Sequence, residues 1–259
     1  MPVDGISSAW FNNLHPRPEA ECRLFCFPWC GGGSQFFARW GEDFANIEVL
    51  GIRFPGRENR IKESMVSDIS KIITPVCDEI AKNYFDKPFA FFGHSMGTIF
   101  CYEAAAYLKE KYGKEPKHIF FSAEYAPHSK VRKDRLEDKT LKALHEYSDV
   151  ELIERIGKHG GTPKMFLENK DFMVNTFLPP YRNDLKMIGM YYRPMKGKKQ
   201  LSCPVTAFDG DRDVNHHLYE FSEITSGRFQ QMKFPGHHFY LLKEDNTKRL
   251  RDVITRALT

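Results

Sequence analysis

The sequence predicts an α/β fold: a mostly parallel sheet with helices on both faces, carrying one helical insertion. Three observations lead there. Short apolar runs alternate with longer segments of helical period; most of the runs are apolar on both sides, as buried parallel strands are; and residues 130–194 break the alternation. Residues 23–27, 48–53, 89–92, 118–122, 205–208 and 229–234 each read as a strand. Helical segments are expected over residues 33–44, 68–84, 95–112, 215–225 and 246–258. In the second of these Ile69, Ile72, Ile73, Val76 and Ile80 make one stripe, and Pro75 predicts a kink. In the last, Leu250, Val253, Ile254 and Leu258 make another. Residues 130–194 are charged, hold no convincing strand, and are punctuated by Gly160-Gly161-Thr162-Pro163 and Pro179-Pro180. They read as a helical lid inserted in a single domain spanning residues 1–259, not as an independent unit.

Composition excludes several function classes. The 38 Lys and Arg against 34 Asp and Glu in 259 residues leave a formal charge of +4, too small to make nucleic acid the leading partner. No apolar run approaches the roughly 20 residues of a membrane span. The six cysteines (Cys22, Cys26, Cys30, Cys77, Cys101, Cys203) fall in apolar stretches and read as reduced core thiols. The first ten residues lack the basic-then-apolar layout of a secretory signal, so a cytoplasmic protein is expected.

The strongest chemical signal is Gly93-His94-Ser95-Met96-Gly97, placed between the apolar run 89–92 and a helix-favouring segment. With 18 Gly and 13 Ser, a chance Gly-x-Ser-x-Gly has a probability of about 0.06 in a chain of this composition. Its strand-to-helix setting is the one a nucleophile elbow requires: the glycines permit a tight turn that lifts the serine hydroxyl above the sheet. An incidental serine in a glycine-rich turn is the competing reading. A serine needs a base, and in an α/β-hydrolase fold the order is serine, acid, histidine. His94 is adjacent but turned away by the elbow, and reads as a packed residue. Pro235-Gly236-His237-His238-Phe239 follows the last strand and offers two candidate bases. Asp209-Gly210-Asp211-Arg212-Asp213 follows the preceding strand and offers three candidate acids. Spacing does not choose among them.

Two competing patterns are weaker. Asp209, Asp211, Asp213 and Glu220 occupy calcium-loop positions, but Val214 stands where such a loop needs glycine, and a strand precedes it instead of a helix. Cys22, Cys26 and Cys30 have a metal-like spacing, yet an extended strand would separate them by roughly 13 Å each. No metal and no cofactor is expected. Upstream, Phe27-Pro28-Trp29-Cys30-Gly31-Gly32-Gly33-Ser34 follows the first clear strand; it lacks the lysine of a phosphate-cradling loop and suits an oxyanion loop, whose backbone N–H would complement that of Met96.

These residues, taken with the stretches at 55–60, 87–97, 160–163, 182–185 and 235–242, resemble the type II thioesterases of fatty acid, polyketide and nonribosomal peptide synthesis. The resemblance covers nearly the whole chain and is nearest to the animal medium-chain S-acyl fatty acid synthase thioesterases. It implies Ser95 as nucleophile, Asp213 as acid and His238 as base, with Met96 and Cys30 as oxyanion donors. Cys30 stands where relatives carry Ala or Met, and His237 where they often carry Gly. The implied reaction is hydrolysis of medium-chain or polyketide acyl thioesters carried on an acyl carrier protein, by a monomer. A general carboxylesterase or lipase, and a non-catalytic binding protein on the same fold, are the alternatives. Met165, Phe166, Phe172, Met173, Phe177, Met187 and Met190 are candidates for the wall of an acyl chamber; ordinary packing within the lid is the alternative for each. Arg57 and Arg60 read as ion-pair partners. Two basic clusters, Lys130-Arg132-Lys133-Arg135 and Lys196-Lys198-Lys199, are candidates for docking an acidic carrier.

Overall fold

The computed structural model describes residues 8–195, 197 and 199–259. Its sheet has seven strands: β1 (Phe11–Asn12), β2 (Cys22–Phe27), β3 (Ile47–Ile52), β4 (Phe89–His94), β5 (His118–Ser122), β6 (Val205–Gly210) and β7 (Phe229–Phe234). They lie in the order β1-β3-β2-β4-β5-β6-β7. All pairings from β3 to β7 are parallel; β1 alone runs antiparallel, Phe11 opposite Ile52.

The double-sided apolar character of the runs has a direct structural meaning. Along β2, Cys22, Leu24 and Cys26 enter one core and Phe25 and Phe27 the other, as the two-residue period of a strand demands. Nine helices accompany the strands among the described residues: α1 (Gln35–Ala38), α2 (Ser70–Asn83), α3 (Met96–Tyr112), α4 (Lys130–Glu137), α5 (Asp149–His159), α6 (Lys164–Leu167), α7 (Lys170–Phe172), α8 (Leu178–Ile188) and α9 (Glu244–Leu258). The Phe25 face is covered by α2 and α3, through Ile72, Val76, Ile80, Phe100, Ala104 and Leu108. The Leu24 face is covered by α1 and α9, through Phe37, Leu250, Ile254 and Leu258. The helix α2 continues through Pro75, which sits in its second turn and deletes a single helical hydrogen bond. Two expected helices are shorter: residues 33–44 form α1 followed by a 3-10 turn, and 215–225 hold only the 3-10 turn Leu218–Glu223.

Helices α4 to α8 lie between β5 and β6. They have a core of their own, in which Leu152, Ile156, Met173, Leu178, Tyr181 and Leu185 meet. Among the described residues, no helix is long and apolar enough to cross a membrane.

Candidate active site

The loops that leave the C-terminal ends of the parallel strands converge, as they do in open α/β sheets generally. Ser95, directly after β4, has φ 53° and ψ −122°, a backbone conformation that costs about 1–3 kcal/mol in a non-glycine residue and persists only where surroundings impose it. Here they do. The Ser95 N–H donates to Ser122 O on β5 at 2.7 Å, and Thr98 Oγ1 donates to the carbonyls of Gly93 and Ser122 at 3.1 and 3.2 Å. Both elbow glycines are demanded by close approach. A methyl on Gly93 would meet the backbone of Gly97 and Thr98, and one on Gly97 would meet the Phe27 carbonyl on β2.

The three aspartates at the end of β6 and in the loop after it turn to three partners. Asp209, fully buried, accepts from His216 Nδ1 at 3.0 Å; Asp211 Oδ1 accepts from the Gly236 N–H at 2.8 Å; Asp213 Oδ2 accepts from His238 Nδ1 at 2.8 Å. His238 is 8% exposed, whereas His237 faces solvent and donates to the Arg212 carbonyl. The loops after β6 and β7 interlock, since a methyl on Gly210 would strike the carbonyls of Gly236 and His237. Burial alone would raise the Asp213 carboxyl. The hydrogen bond and charge of His238, with the charge of His216, hold it below its ordinary range instead.

His94 is packed beneath this group, as the sequence suggests. It is fully buried, its Nδ1 lies 2.8 Å from Ser122 Oγ, and its ring centroid is 5.1 Å from that of His238. Burial, reinforced by the charges of His238 and His216, keeps it neutral well below the usual histidine range. From the lid side, His159 at the end of α5 sets its ring edge-on to His238 at 5.2 Å. Asp213, His216 and His238 place donor atoms within 4.8 Å of one another, a spacing that could hold a metal ion. Each imidazole Nδ1 is already engaged by a carboxylate, so the cluster reads as two adjacent Asp–His pairs.

A cavity of about 600 Å³ opens over Ser95 and His238, within the range of small-molecule sites. Its floor comes from the strand loops (Trp29, Cys30, Gly31, Gly32, Asp213, Phe239) and its roof from α5 to α8 (Ile156, Phe166, Phe172, Phe177, Tyr181, Leu185, Ile188). Of the seven chamber candidates, Phe166, Phe172 and Phe177 line it. Met173 is fully buried in the lid's own core, Met187 is buried against the sheet, and Met165 and Met190 are exposed away from it. Met96 is buried at the first position of α3, beside Ser95, and Cys30 lies on the cavity wall. The next loop N–H groups are committed elsewhere: Gly31 donates to Asp184 Oδ2, Gly32 to the Trp29 carbonyl and Ser34 to Glu58. Arg57 pairs with Asp184 and Arg60 with Glu63. In the first basic cluster Arg132 is buried and paired with Glu124, which leaves Lys130, Lys133 and Arg135 on the surface; Lys196 and Lys198 of the second lie outside the described residues.

Sequence reasoning missed His159, His216 and Asp184. Only Asp184 left a trace, in the Arg182-Asn-Asp-Leu185 stretch.

Comparison with known proteins shows the family of the chain. A family model described as a thioesterase domain matches residues 22–258. The chain is 39% identical to the human medium-chain S-acyl fatty acid synthase thioesterase over 96% of this chain and 91% of that one. It is 34% identical to the gramicidin S biosynthesis protein GrsT of Aneurinibacillus migulanus, over 90% and 88%. Among solved structures, the type II thioesterase BorB of the borrelidin cluster superposes with a TM-score of 0.82 at 28% identity, covering 99% of this chain and 100% of that one. Human thioesterase 2 superposes with a TM-score of 0.66 at 30% identity, over 92% and 96%.

Proposed function

Since the chain belongs to the thioesterase family, and is therefore a hydrolase, we propose that it cleaves acyl thioesters through a Ser95–His238–Asp213 triad, on substrates delivered by an acyl carrier protein. The observation that carries the reading is the convergence of a strained Ser95 and an Asp213-bound His238 on one cavity, walled by aromatic and aliphatic side chains beside charged ones such as Glu124 and Arg155.

Asp213 fixes the His238 tautomer, with the proton on Nδ1, so that Nε2 is the base. Nε2 takes the Ser95 proton as Oγ attacks the thioester carbonyl. The oxyanion of the tetrahedral adduct is held by the N–H groups of Met96 and Cys30, at the positive end of α3. The adduct expels the thiolate, which receives the proton from His238. Water then repeats the sequence on the acyl-serine: His238 deprotonates it, the second adduct collapses, and the free acid leaves with Ser95 reprotonated. The apolar roof supports an acyl chain as the buried part of the substrate, and α4 to α8, residues 130–188, act as a lid on a single catalytic domain. The surface cations Lys130, Lys133 and Arg135, the last also on the cavity wall, suit an acidic carrier. Six free cysteines, five of them buried, favour a reducing compartment and hence the cytoplasm.

The test is Ser95→Ala, assayed with acyl groups of graded length on a carrier protein and on coenzyme A, with fluorophosphonate labelling in parallel. Loss of both turnover and labelling is expected; a variant that keeps most of its turnover rejects Ser95 as nucleophile.

A further inference from the structure

Helix α8 does two things at once. Phe177, just before it, with Tyr181 and Leu185 within it, line the cavity, while Asp184, wholly buried, turns toward the loop after β2. There Asp184 Oδ2 accepts from the Gly31 N–H at 2.8 Å. Arg57 closes the arrangement: its Nη1 donates to Asp184 Oδ2 and to the Gly32 carbonyl, both at 2.9 Å, and its Nη2 donates to Asp184 Oδ1 at 2.6 Å. Positions 177, 181 and 184 fall on one helical face, and Gly31 rests against it: a methyl there would lie 3.3 Å from both Phe177 and Tyr181.

The contact falls on the peptide that directly follows Cys30, at the centre of the turn that carries the Cys30 N–H. Gly32 N–H donates to Trp29 O, closing a turn with Cys30 and Gly31 at its centre, and Gly31 has φ +72°, the value the third residue of a type II turn requires. The low-cost alternative to a type II turn is a flip of its central peptide, here Cys30–Gly31, which would turn the Gly31 N–H away. Asp184 opposes that flip by holding this N–H, and Arg57 holds the Gly32 carbonyl; together they anchor the turn that carries the Cys30 N–H, which lies on the preceding Trp29–Cys30 peptide. A buried ion pair is a weak source of stability, because desolvation offsets the attraction between the charges; fixing a geometry is the better account of why it is there.

We propose that Asp184, held by Arg57, is a positioning residue for hydrolysis: it fixes the oxyanion loop from the lid helix, so that the Cys30 N–H is presented to the developing charge. This rests on the triad reading above, and it ties the oxyanion loop to the helix that the acyl chain contacts. An oxyanion donor contributes only when charge develops, so loss of its alignment lowers kcat and leaves KM nearly unchanged.

The experiment compares wild type, Asp184→Asn and the double variant Arg57→Met/Asp184→Leu, which removes the acceptor without leaving an unpaired buried charge. Each is measured for kcat and KM on a medium-chain thioester, for inhibition by an alkyl trifluoromethyl ketone that forms a tetrahedral adduct on Ser95, and for melting temperature. One oxyanion donor is worth about 10²- to 10³-fold, so partial misalignment should lower kcat and ketone affinity together by about 10- to 100-fold, with KM changed less than twofold. A folded variant with wild-type kcat and ketone affinity overturns the proposal. So does one whose loss lies in KM alone, which would make Asp184 part of the chamber wall only. Ser95→Ala is run alongside: if it keeps turnover, the triad reading fails, whatever Asp184 does.

Discussion

Replacing Gly97 with alanine should damage catalysis more than stability, and the structure says by how much. A methyl on Gly97 would be driven into the Phe27 carbonyl at the end of β2, with the Phe27 carbonyl carbon only 2.7 Å away and its Cβ 3.1 Å away. Every nearby atom is backbone or the root of a buried side chain, so no flexible group can swing aside. Reaching an ordinary carbon–carbon contact of about 3.5–4.0 Å requires α3 and β2 to separate by about 1 Å. Such overpacking typically costs about 1–3 kcal/mol, and for a chain of this length each kcal/mol lowers Tm by roughly 2–4 °C. The two elements forced apart carry the two proposed oxyanion donors: Met96 opens α3, and Cys30 stands three residues beyond Phe27. A 1 Å misplacement can cost about 10²-fold in rate. Gly97→Ala should therefore melt about 2–12 °C lower, keep its KM, and lose about 10- to 100-fold in kcat on an acyl thioester. Gly113→Ala is the control. It replaces a glycine of positive φ, +64°, where a methyl would meet nothing within 4 Å, so it should cost about 1–2 kcal/mol of stability through the backbone alone and leave kcat intact. Wild-type kcat in Gly97→Ala, or an equal kcat loss in Gly113→Ala, would refute the steric argument.

His238→Ala should lose about 10²- to 10⁴-fold in kcat while His237→Ala, whose ring faces solvent, stays near wild type; the reverse order would move the base to His237. Phe172→Ala should weaken selection by acyl length, read as a shallower fall of KM along the series than the roughly fourfold per methylene that full burial supplies. Reversing Lys130 and Lys133 to glutamate should weaken turnover of carrier-bound thioesters and spare a short free thioester, with equal losses on both rejecting carrier docking. The two buried histidines should affect stability with opposite signs. His94 is neutral when folded, so its contribution is present above the unfolded value near 6.5 and is lost as pH falls below it; His94→Gln should flatten the decline of Tm between pH 7 and 5. Although burial lowers the His216 value, the hydrogen bond and charge of Asp209 and the charges of Glu124 and Asp213 leave it raised. Its contribution is present below 6.5 and fades as pH rises past that value, so His216→Gln should remove a decline on the alkaline side.

What could be read in advance follows from how far apart the deciding contacts lie along the chain. The Ser95 elbow was legible because its requirement is local: a strand, two glycines two residues either side of the serine, then a helix. The double-sided strands were legible because a strand buried on both faces must be apolar at successive positions, and such a run is visible locally. The choice among Asp209, Asp211 and Asp213 was not, because it is made by the loop after β7, whose nearest partner atoms belong to Gly236 and His238, 25 residues away from Asp211 and Asp213. The chamber candidates failed to separate for a different reason. Residues Met173–Phe177 form a π turn between α7 and α8, and its extra residue shifts the helical phase; Met173 turns into the lid core while Phe172 and Phe177 face the cavity. A 3.6-residue period drawn across that segment puts the wrong side chains on the wall. The two-residue β1 offers no period at all. The contact least accessible to sequence patterning is also the one that ties the lid to the chemistry, Asp184 on the Gly31 N–H, 153 positions apart along the chain. A buried carboxylate so far along the chain, satisfied by one arginine and one loop N–H, owes its place to the geometry it holds. Local propensity could therefore predict that a helix covers the site, but not that one turn of it would reach down and hold the loop beneath.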